Sequence, residues 1–214
     1  DDVVREHVAD GMRVYLCFLG PLDQDKPWVA QGVEAQVSWL RRVWRLFFEG
    51  DGDTPRVADV APTRPELEIL HKAIAKVSGD IERLALNTAI SALHVATRDL
   101  AQHGTRARSV LEPLAQLVAP FAPHLGEELW AKGLGHADGI SFARWPKHDE
   151  ELARDAVIRM GVQVLGKTRG EIEVSPDADE ATAMELALAD PGVRRLIEGK
   201  AIAKVIYRPG KILN

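Results

Sequence analysis

Apolar residues along the first two-thirds of the chain recur at intervals of three and four. Val33, Val37, Leu40, Trp44 and Phe47 step by 4, 3, 4 and 3, which is one face of an α-helix. Arg41, Arg42 and Arg45 fall mostly off that stripe. Asp10 to Leu19 reads as an earlier helix closed by Gly20-Pro21, because proline cannot continue the hydrogen-bond ladder. Gly50 to Pro55 ends the second helix and opens a polar loop that reaches Pro65. Glu66 to Val77 predicts a third helix, loosened at Ser78-Gly79. Asp80 is then the N-cap of a fourth helix whose face reads Leu86, Ile90, Leu93, Thr97 and Leu100. Gly104 stops it, and Thr105 caps a fifth carrying Val110, Leu111, Leu114, Leu117 and Val118. A last helix runs from about His124 to Lys132. Consecutive amphipathic helices with mostly short connections predict an all-α antiparallel bundle.

Beyond about residue 157 the period changes. Val162-Gln163-Val164 and Glu171 to Val174 alternate as half-buried strands do, with even-numbered residues inward on both. Residues paired across a hairpin have a constant sum, so these faces match only across an odd loop or a bulge. A three-residue loop around Leu165-Gly166-Lys167 is the expectation, with Gly166 free to take positive φ. Asp179 to Ala189 predicts a helix; Asp190-Pro191 caps another that Gly199 closes. Ile202 to Arg208 reads as a strand, Pro209-Gly210 as a turn, and Lys211 to Leu213 as the start of a fourth strand. The expected whole is multi-domain, a helix bundle followed by a small α/β (ββααββ) domain of about sixty residues, near the lower limit of independent stability.

Composition narrows the classes. The 214 residues carry 27 Lys+Arg against 32 Asp+Glu, a formal charge of −5. Apolar residues at 46% and charged ones at 28% exclude a disordered or fibrous chain. No apolar run approaches the roughly 20 residues of a membrane span. The first residues lack both the pattern of a signal peptide and an initiator Met, so the chain reads as a piece of a longer protein. A single cysteine, Cys17, excludes an internal disulfide and a multi-Cys zinc site. A cytoplasmic location is expected.

Gly161 to Thr168 satisfies the G-x-x-x-x-G-K-[ST] phosphate-loop pattern. That chemistry needs a flexible loop leading into a helix, whereas here the loop interior is strand-like and Thr168 enters a second strand. A hairpin is the expectation. The seven histidines have no pair at metal-ligand spacing, and Cys17 sits among apolar neighbours as a small hydrophobe would. No catalytic or metal-binding residue is therefore assigned. Charge segregation says more. Arg194 to Lys211 holds six basic residues against one acid, whereas Glu171 to Asp190 holds seven acids and no base. Such a basic stretch is either a phosphate-binding footprint or an ordinary solvated face. Arg41, Arg42 and Arg45 pose the same choice on a helix.

Several stretches resemble bacterial-type leucyl-tRNA synthetase. They are Phe18-Leu19-Gly20-Pro21-Leu22-Asp23-Gln24-Asp25-Lys26-Pro27-Trp28, Val43 to Leu46, and Asp80 to Arg83 with Asn87 to Ile90, while Ala119 to Trp130 resembles class I synthetases for aliphatic amino acids more broadly. The Val162-Gln163-Val164 hairpin with Gly166-Lys167 and Arg169, and Lys204 to Lys211, are similar to that family's C-terminal domain and separate it from valyl and isoleucyl relatives. Where the family has Asn before the hairpin Gly, this chain has Leu165, which suits the odd loop.

The resemblance implies a division into 1–22, a remnant of the connection to a catalytic domain; 23–145, the anticodon-binding-type bundle; 146–156, a linker; and 157–214, a C-terminal tRNA-binding domain. It implies a leucine–tRNA ligase parent that uses ATP and Mg. The chain itself lacks the His-Ile-Gly-His and Lys-Met-Ser-Lys-Ser signatures, so no cofactor and no catalysis are expected in it. Expected partners are leucine tRNA and the catalytic domain of the same chain, with no membrane and a monomeric state. Charge and motif position nominate Arg42 and Arg45 on the bundle for tRNA contact. On the small domain they nominate Lys167, Arg169, Lys200, Lys204, Arg208 and Lys211. The alternatives are the same region of a valyl or isoleucyl enzyme, or a non-catalytic helical interaction module.

Overall fold

The structure, a computed structural model, describes residues 9–21, 29–154, 157–199 and 202–214. Lys200 and the Leu22–Trp28 part of the connecting motif lie outside the described residues. The chain divides between residues 154 and 155 into two units.

The first unit is helical: α1 (Ala9–Phe18), α2 (Ala30–Phe47), α3 (Arg64–Glu82), α4 (Leu86–Gln102), α5 (Arg108–Val118) and α6 (Pro123–Glu128). The last continues into a π turn, Leu129–Gly133; a 3₁₀ turn (Ile140–Phe142) and a short α7 (Glu150–Ala153) follow. The α2 stripe folds as its spacing requires: Val33, Leu40, Val43 and Phe47 are buried while Arg41, Arg42 and Arg45 are exposed. At the centre Trp39 is wholly buried, its indole N–H donating to the Thr97 hydroxyl at 3.2 Å and its ring stacked on His94 at 4.6 Å. Thr97 donates in turn to the Leu93 carbonyl at 2.7 Å, so the one polar residue of the α4 stripe is satisfied.

Helix α1 belongs to this core through Val14 and Tyr15. Tyr15 lies on Gly32 of α2 so closely that a Cβ there would sit 2.2 Å from the ring. Buried Asp10 ties α1 to α6, accepting from His124 Nδ1 and the Leu125 N–H, both at 2.8 Å.

Two expected caps are not caps. Helix α3 does not loosen at Ser78-Gly79; its buried row Leu70, Ala73, Ile74 and Val77 carries it on to Glu82. Asp80 is therefore inside the helix and buried, accepting from Lys76 Nζ at 2.5 Å, Arg83 at 2.7 Å and the Thr88 hydroxyl at 2.6 Å. Burial raises its pKa, but the bonds from Lys76, Thr88 and Arg83 outweigh that and hold it below the usual carboxylate range. Nor does Thr105 cap α5. Ala107 stands at that position, and the Arg108 N–H is satisfied by the Ala58 carbonyl at 2.9 Å. The polar loop before Pro65 is thus held by backbone pairing with the α5 start.

The second unit is a small mixed sheet with two helices. Strands β1 (Ile158–Val164) and β2 (Lys167–Val174) precede α8 (Glu180–Ala189) and α9 (Pro191–Ile197), then β3 (Tyr207–Arg208) and β4 (Ile212–Leu213). The order across the sheet is β2-β1-β4-β3, with β1 parallel to β4 and the other pairs antiparallel. Met160, Val162, Ile172, Val174 and Leu213 face Ala183, Ala187 and Val193 of the helices. The predicted strand 202–208 is shorter than expected, with ladder pairing only at Tyr207–Arg208. Ile206 still exchanges both backbone bonds with Asn214.

The hairpin parity is resolved by a bulge and not by a three-residue loop. Val164 pairs with Lys167, leaving a two-residue turn, Leu165-Gly166, with φ of 55° and 76°. The register slips between Val162↔Gly170 and Gln163↔Thr168, so Arg169 is the extra residue. The right-handed strand twist demands positive φ at both turn positions. Gly166 adopts it freely, whereas Leu165 has no polar side chain to compensate, at about 1–2 kcal/mol. Gly170 beside the bulge admits α9: a Cβ there would lie 2.9 Å from Val193 Cγ2.

Candidate nucleic-acid interface

The Gly161–Thr168 pattern runs along β1, through the turn and into β2, so its amides are engaged in a ladder and no helix begins at Lys167-Thr168. It does not fit a nucleotide. Among the described residues there is no group of three or more His, Cys, Asp and Glu side chains placed to hold a metal. Cys17 is half-buried against the core, and burial pushes its thiol pKa up against the pull of Arg13. It therefore stays protonated at neutral pH.

The two units differ in how they use their cations. In the helical unit Arg45 is clamped by both Asp51 carboxylate oxygens at 2.9 and 3.3 Å. Arg64 pairs with Glu68, Arg108 with Asp59 and Lys132 with Glu128. Arg42 is exposed and makes no ion pair with a described residue; it stands close enough to His94 to oppose protonation of that ring. Of the two bundle residues nominated, the structure leaves Arg42 open and occupies Arg45.

In the small unit Arg159 pairs with Glu173 across β1 and β2, so their outward face carries Glu171 and a neutralised pair. Lys167, Arg169, Lys204, Arg208 and Lys211 are all exposed, and none makes an ion pair or side-chain hydrogen bond with a described residue. The register sorts them into two places. Lys167 is level with Val164 at the hairpin end of β1, and Arg169 is in the bulge. Lys204 lines an apolar groove with Leu165 and Asn214 at that same end. Lys211 precedes Ile212, which is level with Gly161, so it lies four residues or about 13 Å down the sheet from Lys167. Arg208, opposite Ile212, lies near that lower level on the edge strand β3.

Two grooves accompany these charges. One of about 390 Å³ opens in the small unit between β1, the helices and residues 202–206, with walls including Val164, Leu188, Leu196 and Val205. The other, about 640 Å³, lies on the helical unit among Asp10, Arg41, Trp44, His124 and Glu128. Its charge is mixed, so it does not favour a polyanion. Sequence reasoning singled out neither Leu165 as an exposed side chain nor Trp44 as a groove wall. A Leu directly before a turn Gly was the available signal for the first.

A family model described as the anticodon-binding domain of tRNA ligase matches residues 66–184. The chain belongs to that family. The match begins in α3 and continues past the division between the units into α8. Leucine–tRNA ligase of Parabacteroides distasonis is 43% identical over 214 residues, all of this chain and 22% of the relative. That of Bdellovibrio bacteriovorus is 43% identical over 216 residues and 27% of its length. The chain thus spans about a quarter of the length of the curated relatives it matches. Among solved structures, the LeuRS of a LeuRS–tRNA–LeuAMS ternary complex from Agrobacterium radiobacter K84 matches with a TM-score of 0.79 and 32% identity. It covers 100% of this chain and 29% of that one. No helix among the described residues is long and apolar enough to cross a membrane.

Proposed function

We propose that this anticodon-binding-family chain is the tRNA-holding portion of a leucine–tRNA ligase. It positions leucine tRNA for ATP-dependent aminoacylation by a class I catalytic portion, and has no aminoacylation, amino-acid activation or editing activity of its own. The observation that carries the reading is the contrast in ion pairing: the small unit presents Lys167, Arg169, Lys204, Arg208 and Lys211 without internal partners, as phosphate binding requires. The whole-chain likeness to leucine enzymes favours leucine over valine or isoleucine. In this reading the bundle and the ββααββ domain grip one tRNA, α1 leads from the catalytic portion, and ATP and Mg are handled outside this chain. The parent is a cytoplasmic monomer. The small domain would meet unpaired loop bases of the tRNA, where shape and stacking replace groove reading.

A titration of leucine tRNA, other tRNAs and a tRNA lacking its elbow loops, each across a range of salt, tests this. Replacing Lys204 and Arg208 with Ala should weaken binding and reduce the slope of log affinity against log salt by roughly 1.5. Unchanged affinity and slope would falsify the assignment.

A further inference from the structure

Leu165 combines three properties that a hairpin tip does not need. Its side chain is 95% exposed. Its backbone holds a φ of 55°, which Asn or Gly adopts at lower cost. Its turn is also fixed in place: Val164 pairs with Lys167, and the Gly166 N–H donates to Asn214 Oδ1 at 3.1 Å. The result is a rigid apolar projection and not a loose loop.

Its surroundings are cationic. Lys167 follows the turn, the bulge displays Arg169, and Lys204 shares the groove that Leu165 borders. Residues 163–169 contain no acid. An apolar knob ringed by unpaired cations complements a polyanion that also offers apolar faces, and single-stranded nucleic acid is that ligand. The other non-glycine residue at positive φ among those described is Leu84, with φ of 56°, also exposed. There the neighbouring Arg83 is paired with Asp80, so no cationic ring surrounds it.

We propose that Leu165 packs against the face of an unpaired tRNA base while Lys167, Arg169 and Lys204 hold the flanking phosphates. This rests on the tRNA-holding reading above and adds an apolar contact to it.

The test uses the 214-residue chain, leucine tRNA and the variants Leu165→Asn, Leu165→Met and Leu84→Asn. Leu165→Asn relieves the turn, so the small unit should melt about 2–5 °C higher. Affinity should nevertheless fall roughly three- to tenfold, with the salt slope unchanged, since no phosphate contact is lost. Leu165→Met should keep affinity within about twofold. Leu84→Asn should leave affinity as it was. On tRNA with abasic sites in its elbow loops, the gap between the chain and Leu165→Asn should close. Higher stability with unchanged affinity in Leu165→Asn overturns the proposal, as does an equal loss in Leu84→Asn. Failure of the tRNA reading looks different: the Lys204→Ala, Arg208→Ala variant would then keep both affinity and slope.

Discussion

The two units place opposite demands on their side chains. The helical unit closes on itself: Trp39, Phe47, Phe48, Leu93 and Leu111 are fully buried, and Arg13, Arg45, Arg64, Arg83, Arg98 and Arg108 face its own carboxylates. The small unit buries a short row, Met160, Val162, Ile172, Val174 and Leu213, under alanines and one valine. It leaves Leu165, Ile202 and Ile206 in solvent beside unpaired cations. Charges that are paired internally stabilise a scaffold but are not available to a partner, whereas unpaired ones attract a polyanion and contribute little to folding. On the reading proposed above, the larger core gives the helical unit more of its stability, and the small unit offers more of its cations to a partner.

The strongest way to break it is to empty the larger core. Trp39→Ala should cost the helical unit about 3–5 kcal/mol, because it removes a filled volume and the Thr97 bond together. All five tryptophans lie before residue 155, so their fluorescence reports this unit alone while amide exchange follows β1 and β2. The small unit's protection should not change. A coupled loss in both would mean that the two fold as one.

A matched pair of glycines comes next. Gly32 and Gly170 each sit under a side chain, and a Cβ at either would meet an atom within 3 Å. Alanine should cost about 1–3 kcal/mol at both. The helical unit can absorb that loss, but the small unit, close to the size limit for independent folding, should lose most of its amide protection. Equal survival of the two variants would show that the small core is stronger than its composition suggests.

Much of this was legible because it depends on period. The α2 stripe, the α4 face and the even-numbered strand residues needed only spacing. What failed depended on choices made in three dimensions. Asp80 and Thr105 have the chemistry of caps, but Asp80 was drawn into a helix continued by its buried row, and the Ala58 carbonyl takes the Arg108 N–H at the start of α5 in place of a Thr105 cap. Hairpin parity allowed a bulge or an odd loop, and only the ladder distinguishes them. At the candidate site the segregation of charge was visible along the chain. Its division into a hairpin end and a turn end follows from the parallel β1–β4 pairing, which puts Lys204 on the same groove as Leu165, a residue 39 positions earlier. The clamp on Arg45 crosses a loop, at six residues and not at helical spacing, so it was hidden too.

A subtler contrast concerns pH. His94 is stacked between Phe18 and Trp39, its Nε2 is 3.0 Å from Gln36 Oε1, and burial with Arg42 nearby lowers its pKa to about 4. The folded state therefore resists a proton that the unfolded chain accepts near 6.5. Stability should be fully present above about pH 6.5 and decline as the pH falls towards 4. The shift alone sets a ceiling of about 3 kcal/mol, and solvent at this half-buried ring reduces it to about 1–2. Urea unfolding followed by tryptophan emission should show the decline, and His94→Gln should reduce it to the part left by His71, whose pKa burial also lowers. The small unit has no histidine, so its exchange protection should not share this window. A decline common to both units would assign it to the carboxylates instead.

The smallest effect tests whether the helical unit withholds a charge that it could offer. Asp51 accepts both bonds from Arg45, and that bond with its attraction keeps the Asp51 pKa below the usual range, so the pair persists through neutral pH. Asp51→Ala removes the partner and leaves Arg45 beside Arg41 and Arg42 on an exposed helix face. If that face meets tRNA phosphates, freeing Arg45 should strengthen binding by less than about threefold at low salt and steepen the salt slope by about 0.7–0.9. Arg42→Ala should shift the slope by the same amount in the opposite direction. Should Asp51→Ala change neither quantity while Lys204→Ala changes both, the arginines of α2 are scaffold like the rest of their unit.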